Sequence, residues 1–357
     1  MSGIKVAFWN LQNLFDTQIS PIAADLEFTT SNGWTEPVFR QKLENLAQVI
    51  NLMHGGELPD LLGICEIENQ ALAEQLIGRL NRDDYELAHV ESEDIRGIDT
   101  SLIYSREVFE LAGEPTGHLI HMRYPTRDIF EVPLRVRQNG AEIHVMVNHW
   151  PSRSQGKYET EPFRISVAEH CGRLVDSILK YNRQDFLALP DTPASLQALN
   201  RRWDRNILLM GDFNDEPFDR SLLEFLQASN SEDHLEESIK KSGGSNLPNT
   251  KSYLGRQAYL FNCMWQLLAQ PDQGTFYLSE STHPMNLLDQ FIISRGLYYG
   301  LQGLKMDLDS VEIFKPLPMS VGVKKRPKKF EFTSNGIKTN GYSDHFPIQA
   351  TLQVLEG

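Results

Sequence analysis

The chain has 357 residues, a hydrophobic content of 40%, a formal net charge of −14 and an isoelectric point of about 5.2. Its length and apolar content allow a large buried core and exclude a chain that is disordered along most of its length. The negative charge argues against a protein that neutralises nucleic acid over a broad basic surface, although a local basic surface is compatible with it.

The first residues and the cysteines indicate where the protein works. The N-terminal sequence MSGIKVAFWN lacks the apolar segment and the small-residue cleavage site of a signal peptide, and no run of about 18 apolar residues is present to form a spanning helix. Cys65, Cys171 and Cys263 lie far apart and form no CxxC pair, so we expect buried thiols and neither a disulfide framework nor a zinc site. We therefore expect a cytoplasmic protein without a transmembrane segment.

Apolar periodicity predicts strands and helices that alternate along the chain. In chain order, we predict a strand at 4–10, a helix at 36–53, a strand at 60–69, a helix at 70–80, strands at 100–105 and 142–153, a helix at 162–182, a strand with its exit at 205–217, a helix at 219–227, and strands at 287–294 and 348–355. Pro162 suits the first turn of its helix, and Asp219 suits the N-cap position of the next. We predict loops in the polar segments 17–34, 152–161, 242–251 and 321–341.

The order of these elements predicts the architecture. Strands occur at both ends of the chain with helices between them, no internal repeat is visible, and no shift in composition marks a domain boundary. We therefore predict a single α/β domain, residues 1–357, in which two sheets pack against each other.

Polar side chains follow most of the predicted strands at the point where each strand ends. They are Asn10, Glu66, His149, Asp212, Asn214 and Asp289, with Asp344 and His345 just before the last strand. Because functional sites of α/β sheets gather at strand ends, we expect these side chains to converge.

Each of these residues alone has an ordinary structural interpretation. Asn10 could cap a turn, His149 could be a hydrogen-bonded core histidine, and Asp289 could pair with a nearby cation. Glu66 directly follows the apolar run LLGIC, and a partly buried carboxylate requires a partner or a metal. Glu68, two residues later, is interpreted as structural.

The strand end at GDFND is harder to explain as a turn. Asp212 and Asn214 stand two residues apart, so both would point the same way from a strand, and Gly211 already supplies a turn residue. Oxygen ligands without cysteine favour Mg²⁺ or Mn²⁺ over zinc, and two histidines supply acid–base groups. Together these residues fit metal-assisted hydrolysis of a phosphoester.

Six motifs resemble, in order, those of the endonuclease/exonuclease/phosphatase superfamily, which includes deoxyribonucleases, abasic-site endonucleases, inositol polyphosphate phosphatases and sphingomyelinases. They are FWNLQNLFD, GICEIEN, NHWPSR, MGDFND, LLDQFIIS and GYSDHFPI, and the resemblance runs from Val6 to Ile348. It implies a four-layered α/β sandwich, with two mixed sheets face to face and helices outside.

The resemblance also implies roles for the site residues. Asn10 and Glu66 match the first metal-site pair, with Glu66 as the principal ligand of Mg²⁺, for which Mn²⁺ could substitute. Asp344 matches a further acid of the metal site.

The remaining matches concern the reaction itself. His149 matches the histidine that contacts the phosphate and in some members acts as acid. Asp212 and Asn214 match the pair that orients the attacking water and binds the phosphate. Asp289 matches the carboxylate that orients the last histidine, and His345 matches that phosphate-contacting or general-base histidine.

Two departures separate the chain from abasic-site endonucleases. Those enzymes carry an acidic residue where this chain has Gln12, and a tyrosine where it has His149. The amino-acid sequences of the motifs look most like those of a bacterial branch of nuclease-like hydrolases.

We therefore predict a Mg²⁺-dependent phosphodiester hydrolase, most simply a monomeric nuclease. The basic block KKRPKK, Lys324–Lys329, could dock a phosphate backbone or could be a solvated loop. The alternative is a phosphatase or phospholipid phosphodiesterase that acts on a small phosphorylated substrate. A non-catalytic binding scaffold would be expected to have lost a site residue, and none is lost.

Overall fold

Two large β-sheets dominate the computed structural model of this chain, which describes residues 3–18, 27–122, 125–235, 237–279, 284–322, 325–334 and 336–356. The first sheet has six strands in the order β15-β20-β1-β2-β4-β3, and the second has eight, β10-β11-β14-β9-β8-β7-β5 with β6 beside β7. In chain order the strands are β1 (Ile4–Leu14), β2 (Leu61–Ile67), β3 (Tyr85–His89), β4 (Asp99–Ser105), β5 (Phe109–Leu111), β6 (Thr116–His118), β7 (Ile129–Val136), β8 (Glu142–His149), β9 (Asn206–Asp212), β10 (Ala228–Ser229), β11 (Leu260–Asn262), β12 (Phe276–Tyr277), β13 (Met285–Asn286), β14 (Asp289–Ile293), β15 (Leu304–Ile313), β16 (Ser320–Val321), β17 (Arg326–Pro327), β18 (Glu331–Thr333), β19 (Gly336–Lys338) and β20 (Ile348–Val354).

The α-helices cover the outer faces of the sheets. They are α1 (Glu36–Ile50), α2 (Gln70–Ile77), α3 (Lys157–Leu179), α4 (Arg183–Ala188), α5 (Pro193–Trp203), α6 (Thr250–Leu254) and α7 (Arg295–Tyr299). Short 3₁₀ turns occur at Thr30–Asn32, Met53–Gly56, Cys263–Ala269 and Leu317–Met319, and a single π-helical turn occurs at Ser221–Phe225. Within the ranges described, no helix is both long enough and apolar enough to cross a membrane.

Packing between the sheets forms the central core. Gly63 of β2 lies against Met210 of β9 so closely that a Cβ atom there would come within 2.5 Å of the Met210 sulfur. Leu43 of α1 belongs to this same apolar cluster, whereas Val167 of α3 and Leu199 of α5 pack with the outer face of the second sheet. The result is the predicted four-layered sandwich, with two mixed sheets face to face and helices outside.

The predicted strands and helices all occur, except the helix at 219–227, and the three cysteines are free and buried as expected. Helix α3 starts five residues earlier than predicted, so Pro162 lies inside it and not in its first turn. The first turn forms ahead of the proline because Thr160 bonds to the Gly156 carbonyl, and the buried Arg164 donates to the Lys157 carbonyl at 2.7 Å.

The predicted N-cap at Asp219 is wrong, because other partners take its carboxylate. Arg153 and Lys157 lie 3.0 and 2.6 Å from it, and it accepts the Glu216 N–H at 2.8 Å. The segment that follows makes only the π turn. The predicted loop at 321–341 contains two small ribbons, β16–β17 and β18–β19; Lys324 of the basic block lies outside the described residues.

Candidate active site

Strand direction brings the predicted site residues to one edge of the sandwich. β1 runs parallel to β2, and β8 runs parallel to β9, so their carboxyl ends lie together. β14 and β20 run antiparallel to these strands, so their amino ends reach the same edge. In this register Asp212 of β9 stands between His149 on one neighbouring strand and Asp289 on the other.

Unusual backbone conformations shape this edge. Gln12, Asn13, Glu66 and Asn214 have positive φ angles of 56°, 53°, 61° and 51°, in a region that residues other than glycine rarely adopt. The register of β2 against β4 shifts at Glu66, which marks a β-bulge. The bulge breaks the two-residue alternation of the strand, so the spacing of Glu66 and Glu68 does not by itself place them on one face.

Asn10 connects two carboxylates at the centre of the site. Its side chain is fully buried, and its Nδ2 donates to Glu66 Oε1 and to Asp212 Oδ2, both at 3.1 Å. Its Oδ1 accepts the Gln12 N–H at 2.9 Å, and the Asn13 N–H donates to Glu66 Oε2 at 2.8 Å. The left-handed turn after Asn10 therefore fixes both the amide and the Glu66 carboxylate.

Asp212 and Asn214 meet through a turn and not through strand alternation. Strand β9 ends at Asp212, whose Oδ1 accepts the Asn214 N–H at 2.9 Å. The Asn214 amide then donates to the carbonyl of Trp150 at 2.9 Å. The expectation that both side chains point the same way from a strand is therefore wrong, although the turn keeps Asn214 next to the end of β8.

His345 and Asp289 form a close buried pair. Nδ1 of His345 lies 2.7 Å from Asp289 Oδ2, and its Nε2 lies 3.7 Å from Asp212 Oδ2. Burial alone would lower the pKa of His345, but the Asp289 and Asp212 carboxylates outweigh it and raise the pKa to about 10. Burial raises the pKa of Asp212 to about 6, although His345 opposes this increase.

The surroundings of His149 shift its pKa in the opposite direction from that of His345. Its Nε2 is 3.5 Å from Glu66 Oε1 and 4.0 Å from Asp212 Oδ2. Burial, followed by the positive charges of Arg127 and Arg96, lowers the pKa of His149 well below its usual value. At neutral pH one histidine of the site is therefore neutral and the other is charged.

The oxygen donors beside Glu66 fit a hard divalent cation. Burial and the charge of the half-buried Asp344 raise the pKa of Glu66, so two carboxylates repel each other here. A divalent cation would remove that repulsion, and carboxylate oxygens are the ligands that Mg²⁺ prefers. Asp212, Asp289 and His345 also have the spacing of a metal site, and their ligand atoms lie within 4.8 Å of one another.

Three basic residues near the site were not predicted from the sequence. Arg127 is buried and donates to the carbonyl of Trp150 at 2.9 Å, and Arg96 donates to Asn13 Oδ1 at 2.6 Å. Neither arginine stands at the end of a strand, so the strand-end pattern could not find them. Lys42 is buried on the apolar face of α1 and donates to the Gln12 carbonyl; a lysine on that face was a signal available in the sequence.

The fold and the site together define a class of α/β sandwich enzymes that hydrolyse phosphoester bonds. The chain belongs to the endonuclease/exonuclease/phosphatase family, since residues 5–354 match the model described as the Endonuclease/Exonuclease/phosphatase family. Enzymes of this superfamily are phosphoester hydrolases that depend on divalent metals. A search of the curated proteins finds no match.

Several solved structures share the fold at low sequence identity. An endonuclease/exonuclease/phosphatase family protein from Bacteroides thetaiotaomicron is 14% identical, with a TM-score of 0.53, and the match covers 98% of this chain and 95% of the other. A mannosyl-6-phosphatase of the same species is 14% identical, with a TM-score of 0.53 and coverage of 98% and 99%. D. rerio TDP2, complexed with a single strand DNA product, is 13% identical, with a TM-score of 0.50 and coverage of 99% and 100%.

Proposed function

We propose that the chain is a Mg²⁺-dependent phosphodiester hydrolase and that nucleic acid is its substrate. The observation that carries this proposal is the pair of buried histidines, one charged and one neutral, whose Nε2 atoms lie 4.0 Å (His149) and 3.7 Å (His345) from Asp212 Oδ2. Such a pair offers a cation for a phosphate oxygen and a second imidazole for proton transfer in one site.

The assigned roles follow from this geometry. Asp212, whose pKa lies near 6, positions the attacking water and accepts its proton, with Asn214 beside it. His345, held by Asp289, donates to a non-bridging phosphate oxygen and stabilises the charge that develops there. His149 contacts the phosphate and assists proton transfer.

Glu66 and Asp344 would hold the metal, and Asn10 supports Glu66 through its hydrogen bond. A bound Mg²⁺ or Mn²⁺ supplies Lewis-acid stabilisation of phosphate and leaving-group charge. Asn10 remains part of the proposed metal site, although in this structure it faces Glu66 and Asp212 with its amide nitrogen.

A phosphatase of small substrates is the second candidate. His149 and His345 are only 4% and 5% exposed, so the site is deep enough to favour a small phosphorylated group. The fold shared with a mannosyl-6-phosphatase is compatible with such a substrate. A binding scaffold is disfavoured because all eight predicted site residues are present. We keep the predictions of a monomer and of a cytoplasmic location.

A substrate panel tests the proposal. Hydrolysis of bis(p-nitrophenyl) phosphate, p-nitrophenyl phosphate, plasmid DNA and single-stranded DNA would be measured with Mg²⁺, with Mn²⁺ and with EDTA. We expect metal-dependent cleavage of the diester and of DNA. Cleavage of the monoester alone would contradict a nuclease and support a phosphatase. A folded protein that cleaves none of the four substrates would contradict both proposals.

A further inference from the structure

A basic pocket lies next to the candidate active site. It has a volume of about 250 Å³, and its lining includes four cations and one carboxylate; these residues are Arg326, Lys328, Lys329, Lys338 and Glu331. Lys338 pairs with Glu331 at 2.7 Å, which leaves most of the positive charge of the pocket available to a ligand. This local excess contrasts with the net charge of −14 on the whole chain.

The short strand β12 joins the basic pocket to the site. Phe276 makes an isolated β-bridge with His345, and the two rings lie 4.9 Å apart. The next residue, Tyr277, lines the pocket. Consecutive residues of one strand therefore contact the pocket and the histidine that would bind the scissile phosphate.

Aromatic rings hold two of the cations in place. Lys329 Nζ lies 5.7 Å from the centroid of the Phe276 ring, and the Arg326 guanidinium lies 5.5 Å from that of Tyr277. Such cation–π contacts restrict the side chains before a ligand arrives, which lowers the entropy cost of binding.

The backbone fixes the pocket to the segment that carries the site residues. The Tyr342 N–H donates to the Lys328 carbonyl at 2.7 Å. Gly341 packs so tightly on Lys329 that a Cβ atom there would come within 1.8 Å of the Lys329 carbonyl oxygen. The cations and the Asp344 loop thus form one continuous surface.

We propose that the basic pocket binds a phosphate of single-stranded nucleic acid adjacent to the phosphate that is hydrolysed. This inference rests on the proposed function and names its substrate class. The repeated phosphates of a strand explain why a cation cluster lies beside the site. A flexible single strand, unlike a rigid duplex, can bring its backbone to histidines that are only 4% and 5% exposed.

The first test measures binding without catalysis. Fluorescence anisotropy of a labelled ten-nucleotide oligothymidylate would be recorded in EDTA between 50 and 200 mM salt, for wild type and the double variant Arg326→Gln/Lys329→Gln. Loss of the phosphate contact in the pocket should reduce the slope of log affinity against log salt by about 0.7, because each phosphate neutralised on a single strand contributes about 0.7. Glutamine removes the charge and keeps a polar side chain, and thermal unfolding verifies the fold. The exposed Lys241 provides a matched control through Lys241→Gln, which should keep the wild-type slope.

Equal slopes for wild type and the double variant would overturn the proposal. A second outcome would also overturn it: inositol hexakisphosphate binds tightly through Arg326 and Lys329, but the oligonucleotide does not bind. The pocket would then recognise a small polyanion.

The second test measures turnover. The ratio of kcat/KM for the oligonucleotide to that for bis(p-nitrophenyl) phosphate should fall at least about tenfold in the double variant, and an unchanged ratio would count against the pocket. If the oligonucleotide binds through the pocket but wild type cleaves no diester, this inference is supported and the proposed function is refuted. Failure of the inference can therefore be distinguished from failure of the proposed function.

Discussion

His345 and His149 both lie within 4.0 Å of the Asp212 carboxylate, yet their surroundings make His345 charged and His149 neutral. His345 has two carboxylate neighbours that raise its pKa to about 10, whereas burial and two arginines lower the pKa of His149. Histidine is suited to such a division of roles because its ordinary pKa lies near neutrality.

We expect His149→Ala and His345→Ala each to reduce kcat for a phosphodiester by roughly 10²–10⁴-fold, the usual contribution of a positioned acid–base group. The measurement is steady-state hydrolysis of bis(p-nitrophenyl) phosphate, with circular dichroism to verify that each variant is folded. His234→Ala, on the exposed surface, is the matched control and should keep the wild-type rate. A folded variant of either site histidine with a wild-type rate would remove that residue from the mechanism.

At this scale the sequence predicts which residues come together, but not how they are oriented. The structure brings together His345 with Asp289 and Asn10 with Glu66, which the motifs relate, whereas the hydrogen bond from Asn10 to Asp212 was not predicted. The amide orientation of Asn10 depends on the Gln12 N–H, which no spacing pattern reveals.

The elements of the sandwich show why some parts of the fold were harder to predict than others. Strands β1 and β2 are nearly continuous apolar runs, which are readily recognised as buried strands. Strand β15 was missed because its buried positions, Leu304, Met306, Val311 and Ile313, change phase at a register shift in mid-strand. This register shift arises where β15 pairs with β20, a strand distant in sequence, so the local sequence of β15 does not reveal it.

A partly buried contact between one carboxylate and two histidines links three strands of the second sheet away from the site. Glu131 of β7 lies 2.7 Å from His118 of β6 and 2.7 Å from His144 of β8. Burial would raise the pKa of Glu131, but the hydrogen bonds from the two histidines outweigh it and lower the pKa to about 2. A carboxyl whose pKa falls on folding stabilises the protein above its ordinary pKa, and this contribution is lost as the pH falls towards the folded value.

We therefore expect Glu131→Gln to lower the free energy of unfolding at pH 7 by about 1–3 kcal/mol, as is typical for hydrogen bonds to a charged group. The difference from wild type should shrink as the pH falls from about 4.5 towards 2. Urea unfolding at pH 7 and at pH 3 measures both quantities. Glu142→Gln, which removes a largely exposed pair with Arg135, is the control and should cost less than about 1 kcal/mol. A difference for Glu131→Gln that is zero at pH 7, or that grows on acidification, would contradict this assignment.

On the scale of the whole molecule, charge is distributed unevenly. The chain carries a net charge of −14, but the basic pocket, Arg96 and Arg127 lie around the candidate site, together with Lys42, whose pKa burial lowers to about 7. Such an arrangement repels anions from most of the surface and attracts them to one place. The four-layered sandwich was predicted from the order of six motifs, whereas the prediction of a single domain stays a prediction.

The most direct measurement is the rate of bis(p-nitrophenyl) phosphate hydrolysis as a function of Mg²⁺ concentration, for wild type and Glu66→Gln. We predict that wild type is inactive in EDTA, recovers fully with Mg²⁺ and saturates, and that Glu66→Gln loses at least about 100-fold in rate or requires far more Mg²⁺. Hydrolysis by wild type that persists in EDTA, or a folded Glu66→Gln protein with the wild-type Mg²⁺ dependence, would contradict a metal-dependent site at Glu66.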